Sequence, residues 1–173
     1  MPTRKTRPTD DKNASKHNLV FHRTFETSVE PLWKAFTDSD YVMQWWGPDH
    51  FSCPSAQMDF QVGGTSLVCM RAPKEFGGLD MYSTWHYVAI KPLKRIEYLH
   101  NLTDKKGKKI DPTTLGMPAD FPQDQRHVAS FKSLRKNTTE LTFTEYGWKP
   151  GKMREMSKMG MEQCLNKMAA IFA

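Results

Sequence analysis

The stretch that decides the fold is Lys152–Ala173, KMREMSKMGMEQCLNKMAAIFA, at the end of the chain. Its apolar residues recur at helical spacing on one face, whereas charged and amide side chains occupy the other. At about 1.5 Å per residue this helix is roughly 30 Å long, so its apolar stripe needs a partner as wide as a small domain. The sequence predicts a curved antiparallel sheet as that partner. The stripe consists of Met153, Met156, Gly160, Met161, Cys164, Leu165, Met168, Ile171 and Phe172.

Short segments with alternating polarity supply the strands of the predicted sheet. The first, Asn18–Thr27, places Leu19, Phe21 and Phe25 on one side. Glycine and proline turns separate the others, and Pro54 indicates an edge strand or a bulge. Because strands and helices are segregated along the chain, the fold class is α+β with about six to seven antiparallel strands. The later strand segments are Phe51–Gln61, Thr65–Ala72, Leu79–Ile90, Arg95–Thr103, Arg126–Leu134 and Thr138–Tyr146.

Two short helices are predicted after the first strand. Ser28 is a candidate N-cap for a helix that runs to Thr37, and a second helix begins at Asp38 or Ser39 and ends at Trp45. The aromatic turn Trp45-Trp46-Gly47-Pro48 follows. Its tryptophans either plug the end of the sheet or stack on a ligand, and the sequence leaves both interpretations open.

Length and charge indicate one folded domain, residues 18–173, preceded by a tail. Residues 1–17 lack apolar periodicity and hold five Lys or Arg and two Asp, which is half of the net charge of +6. We therefore expect 1–17 to be a flexible basic N-terminal tail. The remaining charge of the domain is not concentrated on one element with interleaved aromatics, so a nucleic-acid partner is not predicted.

Cysteine content and hydropathy indicate a cytoplasmic protein. The three cysteines, Cys53, Cys69 and Cys164, are odd in number and far apart, which argues against a disulfide framework and a zinc ribbon. No segment approaches the roughly 20 apolar residues of a membrane span. The charged N-terminus is not followed by the apolar segment of an export signal. We expect reduced thiols and no membrane insertion.

A long helix laid across a curved sheet leaves a wedge of space, and this wedge is the predicted binding cavity. The long loop 104–125, rich in Pro, Gly and Lys, is expected near its mouth, because loops of this length often cover binding sites. The methionine stripe either packs the core or forms a cavity wall that adapts to its ligand. The predicted ligand-binding residues are Trp85, Tyr87, Phe143, Met161, Cys164 and Met168.

Seven short motifs, spread over residues 18–172, occur in the order found in one known family. They are Val29–Phe36 (VEPLWKAF), Trp45–Pro48 (WWGP), Asp59–Gly64 (DFQVGG), Tyr87–Ile96 (YVAIKPLKRI), Gly116–Pro118 (GMP), Thr139–Phe143 (TELTF) and Gly160–Met168 (GMEQCLNKM). On these motifs the chain resembles the START/birch-allergen (SRPBCC) superfamily, and within it bacterial proteins similar to the C-terminal domain of the heat-shock protein 90 ATPase activator.

The resemblance implies a helix-grip fold, in which a curved sheet wraps around the C-terminal helix, and a chaperone as a possible partner. The chain departs from the family pattern at two places. Gln61-Val62 stands where members usually have Arg-Pro, and Gly160-Met161 stands where many have Gly-Trp. Because methionine is smaller and more adaptable than tryptophan, we expect the pocket to differ most from those of relatives at Met161.

No hydrolase, zincin or nucleotide-binding motif is present, and no catalytic residue, metal site or cofactor is predicted. His86, His100 and His127 fall on strands without the short spacing of a metal-ligand pair, so we expect ordinary interface or surface positions for them. Surface positions are likewise expected for the strand carboxylates, which are Asp59, Glu97, Glu140 and Glu145.

Three functional hypotheses follow from these observations. The first is a protein that binds an apolar or aromatic small molecule, such as a lipid, a polyketide or a flavonoid-like compound, between the last helix and the sheet. The second is a chaperone-associated interaction protein that acts through its outer surface. The third is an enzyme of the cyclase or dehydratase type, which requires at least one titratable group inside the cavity.

Overall fold

A computed structural model describes residues 17–173, which begin with a strand and end with a long helix. The predicted tail lies outside the described residues, except for His17 at its end. The strands are β1 (Leu19–Phe25), β2 (Ser52–Gln57), β3 (Thr65–Arg71), β4 (Asp80–Lys91), β5 (Arg95–Thr103), β6 (Gln125–Arg135) and β7 (Thr138–Glu145). The helices are α1 (Val29–Thr37), α2 (Ser39–Trp45) and α3 (Lys152–Ile171), with 3-10 turns at Lys74–Phe76 and Pro112–Leu115.

All seven strands form one antiparallel sheet in the order β1-β7-β6-β5-β4-β3-β2. Strands β2 to β7 form a meander, whereas β1 crosses over to pair with β7. Register shifts between Ser52 and Ser55 and between Tyr87 and Ala89 bend the sheet, because a bulge increases local curvature. Pro54 lies in the first of these, on edge strand β2, as its chemistry predicted. The α+β helix-grip fold is confirmed.

The two short helices form where the sequence predicted them. Ser28 precedes α1 but makes no side-chain capping hydrogen bond. The carboxylate of Asp38 caps α2 by accepting a hydrogen bond from the backbone N–H of Asp40, at 2.9 Å. The Trp45 indole N–H donates to the carbonyl oxygen of Ala35 at 2.6 Å, so it fixes the two helices against each other.

Aromatic side chains fill one half of the wedge between α3 and the sheet. Phe36 of α1 contacts Phe131 of β6 edge-on, with ring centroids 5.6 Å apart. Trp45 of α2 stacks on Trp85 of β4, and Trp85 stacks on Tyr98 of β5, at 6.3 and 5.2 Å. The two short helices therefore close this end of the sheet, and the core lies beneath them.

Helix α3 covers the sheet unequally along its length. Leu165 and Met168, in its second half, are completely buried. Met156, in the first half, is 51% exposed, although the sequence places it on the same stripe. The predicted apolar stripe is therefore fully covered at Leu165 and Met168 and only partly covered at Met156. Lys167 anchors the buried half by donating to the carbonyl oxygens of Gly47 and Phe51, at 2.9 and 3.3 Å.

Candidate functional site

A cavity of about 290 Å³ lies between the first half of α3 and the sheet. Its volume is just below the range of about 300–1,000 Å³ that is typical of ligand pockets. Most of its wall is apolar. The wall consists of Trp46, Pro48, Phe51, Met70, Met81, Ser83, His100, Leu102, Met117, Phe121, Gln125, His127, Glu145, Trp148, Met153, Met156, Ser157, Gly160, Met161 and Cys164.

The long loop between β5 and β6 forms part of this wall through Met117 and Phe121. Its final part is tied to the sheet. The Gln123 side chain accepts from the backbone N–H of Leu102 at 2.9 Å and donates to the carbonyl oxygen of Ile110 at 3.0 Å. Phe121 then packs edge-on against Trp148, with ring centroids 5.5 Å apart. These contacts hold the loop beside the cavity, where the sequence placed it.

The six predicted ligand-binding residues divide into two groups. Met161 and Cys164 lie on the cavity wall. Burial raises the pKa of the Cys164 thiol to about 12, so the thiol is protonated near neutral pH and lines the wall as a small apolar group. The other four belong to the adjoining core and are absent from the wall; contact between them and a ligand stays a prediction. They are Trp85, Tyr87, Phe143 and Met168.

Two residues of the cavity wall carry buried polar atoms that have no hydrogen-bond partner among the described residues. Trp46 and His100 are 8% and 7% exposed, and both line the cavity. No described residue forms a hydrogen bond with Trp46 Nε1 or His100 Nδ1. A buried polar group without a partner costs about 1–3 kcal/mol. The Nε1 atom of Trp85 also lacks a partner in residues 17–173, but Trp85 lies behind the wall.

His127 is held in one tautomer by a chain of hydrogen bonds. The carbonyl oxygen of Tyr146 can only accept, so the amide nitrogen of Gln125 must face it, at 2.9 Å. The Gln125 amide oxygen therefore accepts from His127 Nε2 at 2.9 Å. His127 Nδ1 is left as an acceptor for the Tyr98 hydroxyl at 3.3 Å. Both ring nitrogens of His127 are thereby engaged within the protein.

His100 stacks on this fixed ring, with centroids 4.9 Å apart and an interplanar angle of 7°. Burial lowers the pKa of His100 to about 4. Burial, followed by the neighbouring His100, lowers the pKa of His127 well below its usual value. Both rings are therefore neutral at pH 7. Of the two positions expected, the surface is excluded for these histidines, which lie buried between the sheet and α3. The expectation is correct for His86, whose Nδ1 lies 2.8 Å from the Thr65 hydroxyl on the outer face.

Glu145 places a carboxyl group in the same cavity. It is 6% exposed and accepts a hydrogen bond from the Trp148 indole N–H at 2.8 Å. Burial raises its pKa to about 7, although the Trp148 hydrogen bond acts in the opposite direction. The predicted surface position of Glu145 is therefore wrong. Asp59, Glu97 and Glu140 are not among the wall residues.

Strand alternation carried a signal for each of these polar residues. Glu145 follows the buried Leu141 and Phe143 at a spacing of two, so it belongs to the inner face of β7. His100 follows Ile96 and Tyr98 in the same way on β5. Polarity alone suggested the surface, but on these strands the alternating period decides the face. Trp45 and Trp46 both belong to the core, and Trp46 also borders the cavity, so stacking of Trp46 on a ligand stays a prediction.

Residues 17–173 contain neither a helix suited to span a membrane nor a group of side chains suited to bind a metal ion. None of their helices combines the length and the hydropathy needed to cross a bilayer. Within the same residues, no three His, Cys, Asp or Glu side chains are grouped as a metal site would require.

Solved structures with the same fold come from several bacteria. A crystal structure of a Chromobacterium violaceum protein has a TM-score of 0.70 and 21% identity, and the match covers 90% of this chain and 96% of that one. A solution structure from Arthrobacter aurescens has a TM-score of 0.74 and 18% identity, with coverage of 92% and 87%. The AHSA1 protein of Silicibacter pomeroyi has a TM-score of 0.69 and 17% identity, with coverage of 89% and 96%.

The comparison with curated proteins gave no match. A family model, described as activator of Hsp90 ATPase homolog 1-like protein, matches residues 26–173. That range contains α1, α2, strands β2 to β7 and the whole of α3. The chain therefore belongs to the family of activator of Hsp90 ATPase homolog 1-like proteins, within the SRPBCC superfamily.

Proposed function

We propose that this protein binds an apolar or aromatic small molecule in the cavity between α3 and the sheet. The observation that carries the proposal is the cavity itself, about 290 Å³ with a mainly apolar wall. Transfer of a ligand's apolar surface from water to such a wall is favourable, at roughly 25 cal/mol per Å². Lipid, polyketide and flavonoid-like compounds are the proposed ligand classes.

The wall is suited to more than one ligand shape. Met70, Met81, Met117, Met153, Met156 and Met161 all contribute to it. Methionine is unbranched and has three rotatable side-chain bonds, so it can repack around different ligands at low cost. Gly160 adds room in the middle of the helix, because a Cβ atom there would meet only Pro48, at 3.8 Å.

Filling the cavity from Gly160 tests the proposal. The probe is N-phenyl-1-naphthylamine, an uncharged apolar dye whose fluorescence rises in apolar surroundings. We expect saturable binding to the wild type. Gly160→Leu should weaken binding by at least about tenfold, equivalent to 1.4 kcal/mol, because the leucine side chain occupies the ligand's space. Displacement of the dye by lipids, polyketides and flavonoids then ranks the ligand classes.

Met159→Leu is the matched control for this experiment. Met159 precedes Gly160 on α3, is 57% exposed and is not part of the cavity wall. Its substitution should leave the affinity within about twofold of the wild type, as expected for an exposed site away from the ligand. Equal affinity of the wild type and Gly160→Leu for the dye would contradict the proposal.

An enzymatic activity of the cyclase or dehydratase type is a second candidate. It is favoured by Glu145 and His100, two titratable groups in one cavity wall. A carboxyl group with a pKa of about 7 can both donate and accept a proton near neutral pH. Glu145→Gln should abolish turnover of any ligand found by displacement while leaving its affinity intact. Ligands that remain unchanged after incubation with the wild type would dismiss this candidate.

A chaperone partner is the alternative suggested by the family name. It would use a surface outside the cavity, so Gly160→Leu should not affect it. The measurement is the ATPase rate of the cognate heat-shock protein 90 with and without this chain. An unchanged rate and no co-purification would dismiss a chaperone role.

We further propose a cytoplasmic location, which is supported by three buried cysteines that are not paired with one another.

A further inference from the structure

We infer that Trp46 and His100 form a subsite for an uncharged oxygen atom of the ligand, such as the carbonyl oxygen of an aromatic ketone. This inference rests on the proposed function and adds the chemical class of the ligand. Both side chains line the cavity, and their ring centroids are 6.4 Å apart. The two rings are therefore neighbours on the cavity wall, as a subsite shared by one small polar group requires.

The hydrogen-bonding capacity of the pair is unused within the protein. Trp46 Nε1 and His100 Nδ1 have no partner in residues 17–173, although both residues are more than nine-tenths buried. An indole N–H can only donate, so its partner must be an acceptor. A neutral imidazole donates from one nitrogen, which allows His100 to contribute a second hydrogen bond to the same group.

His127 keeps His100 available for the ligand. Its own nitrogens are occupied by Gln125 and Tyr98, so the stacked His127 ring cannot turn to bind the ligand without breaking both hydrogen bonds. The parallel stack, with centroids 4.9 Å apart, restricts the His100 ring plane. The subsite is thus held in place before a ligand arrives, which lowers the entropic cost of binding.

The charges around the cavity select against an anionic ligand. No Lys or Arg occurs among the described residues of its wall, whereas the carboxyl group of Glu145 does. A carboxylate ligand would lose its hydration and find no cation, and an ionised Glu145 would repel it. An uncharged carbonyl group avoids both costs. The subsite therefore favours ketones and related neutral oxygen compounds over free carboxylic acids.

Three probes of similar shape test the inference: 2-acetonaphthone, 2-isopropenylnaphthalene and 2-naphthoate. Their affinities are measured at pH 8 by displacement of N-phenyl-1-naphthylamine, and the indole N–H signals are followed by NMR. The ketone should bind about tenfold more tightly than the hydrocarbon, the ratio expected from one net hydrogen bond, and more tightly than the carboxylate. The ketone alone should shift the Trp46 Nε1–H signal downfield.

His100→Phe and Trp46→Phe should each reduce the ratio of ketone to hydrocarbon affinity, and together they should bring it near one. Trp33→Phe is the matched control, because Trp33 packs on Phe60 and Phe131 away from the wall. If Trp46→Phe does not fold, the ratio of ketone to hydrocarbon affinity in His100→Phe alone tests the subsite.

Equal affinities of the wild type for ketone and hydrocarbon, or tighter binding of 2-naphthoate, would overturn the subsite. If Gly160→Leu still abolished binding in that case, the proposed function would stand. Failure of N-phenyl-1-naphthylamine itself to bind the wild type would overturn both.

Discussion

At the scale of single residues, burial in the cavity wall shifts the pKa values of two ionisable groups in the direction that favours their uncharged forms. Burial raises the pKa of Glu145 and lowers the pKa of His100, because removal from water always penalises the charged form. Each group therefore links stability to pH in the opposite direction. Glu145 contributes most to stability at low pH, and His100 contributes most at high pH.

Ionisation of Glu145 should lower the free energy of unfolding of the wild type as pH rises. Glu145→Gln should not show this decrease, because glutamine does not ionise. The pKa of Glu145 is 4.5 in the unfolded chain and about 7 in the folded protein, so only the unfolded state ionises between these values. The contribution of Glu145 to the free energy of unfolding should fall by about 3 kcal/mol across this window, and the variant should lack this contribution. Urea unfolding from pH 4.5 to 8 measures the difference between the two proteins. Glu140→Gln, on the outer face of β7, is the control; a difference independent of pH would contradict the prediction.

His100→Phe should reduce the acid sensitivity of the fold. The pKa of His100 is 6.5 in the unfolded chain and about 4 in the folded protein, so the unfolded state takes up a proton first as pH falls. The stability present above pH 6.5 is lost down to pH 4, by about 3 kcal/mol for this residue. The variant keeps an aromatic ring for the stack but cannot titrate. Unfolding at pH 4 to 7 measures the effect, with the exposed His22→Phe as control. Parallel wild-type and variant profiles of unfolding free energy against pH would contradict the prediction.

At the scale of elements, α3 has two different roles along one apolar stripe. Its second half packs on the aromatic core, where Leu165 and Met168 are fully buried. Its first half borders the cavity, where Met153 and Met156 keep partial exposure. Helices α1 and α2 contribute aromatic side chains to the core and none to the cavity wall. A helical wheel of the sequence could not show this difference between the two halves, because the apolar stripe itself is continuous.

Two matched substitutions in α3 measure this division. Met168→Ala should cost about 2–5 kcal/mol of unfolding free energy, because it leaves a hole in the packed core. Met156→Ala, at a position 51% exposed, should change stability by less than about 0.5 kcal/mol. Thermal and urea unfolding compare the two variants. Similar costs would mean that the stripe is buried uniformly, in conflict with the structure.

At the scale of the whole molecule, several contacts join the start of the described chain to its end. Arg154 of α3 donates to the carbonyl oxygens of His17 and Asn18, at 2.8 and 3.2 Å, so the first described residues are attached to the last helix. Strand β1 then pairs with β7, which joins the start of the described chain to its end. We therefore propose that the folded domain begins near residue 18.

Removal of residues 1–16 should leave the domain intact. The hydrophobic core of the described residues begins at Leu19, and the removed segment is polar, with no apolar periodicity. We expect an unchanged melting temperature and an unchanged affinity for N-phenyl-1-naphthylamine. A marked drop in melting temperature would show that the segment contributes to the fold.

Most of the fold was predictable because it rests on local periods. The strand boundaries moved by one or two residues for most strands, and Arg95–Thr103 was predicted without error. The largest error was the end of β2, predicted at Gln61 and observed at Gln57, since the turn before Gly63 folds back instead of continuing the strand. The site was harder, because a cavity depends on which elements leave space and no local pattern encodes that.

The sequence by itself determined the α+β class, the two short helices, the long apolar helix and the position of most strands, because side-chain periodicity is a local property of the chain. Only the tertiary structure decided which half of α3 borders a cavity and which polar atoms lack partners. Trp46, His100 and Glu145 come from separate parts of the chain, and the sheet brings them into one wall. Whether a buried polar group is satisfied depends on neighbours distant in sequence, and packing alone places those neighbours.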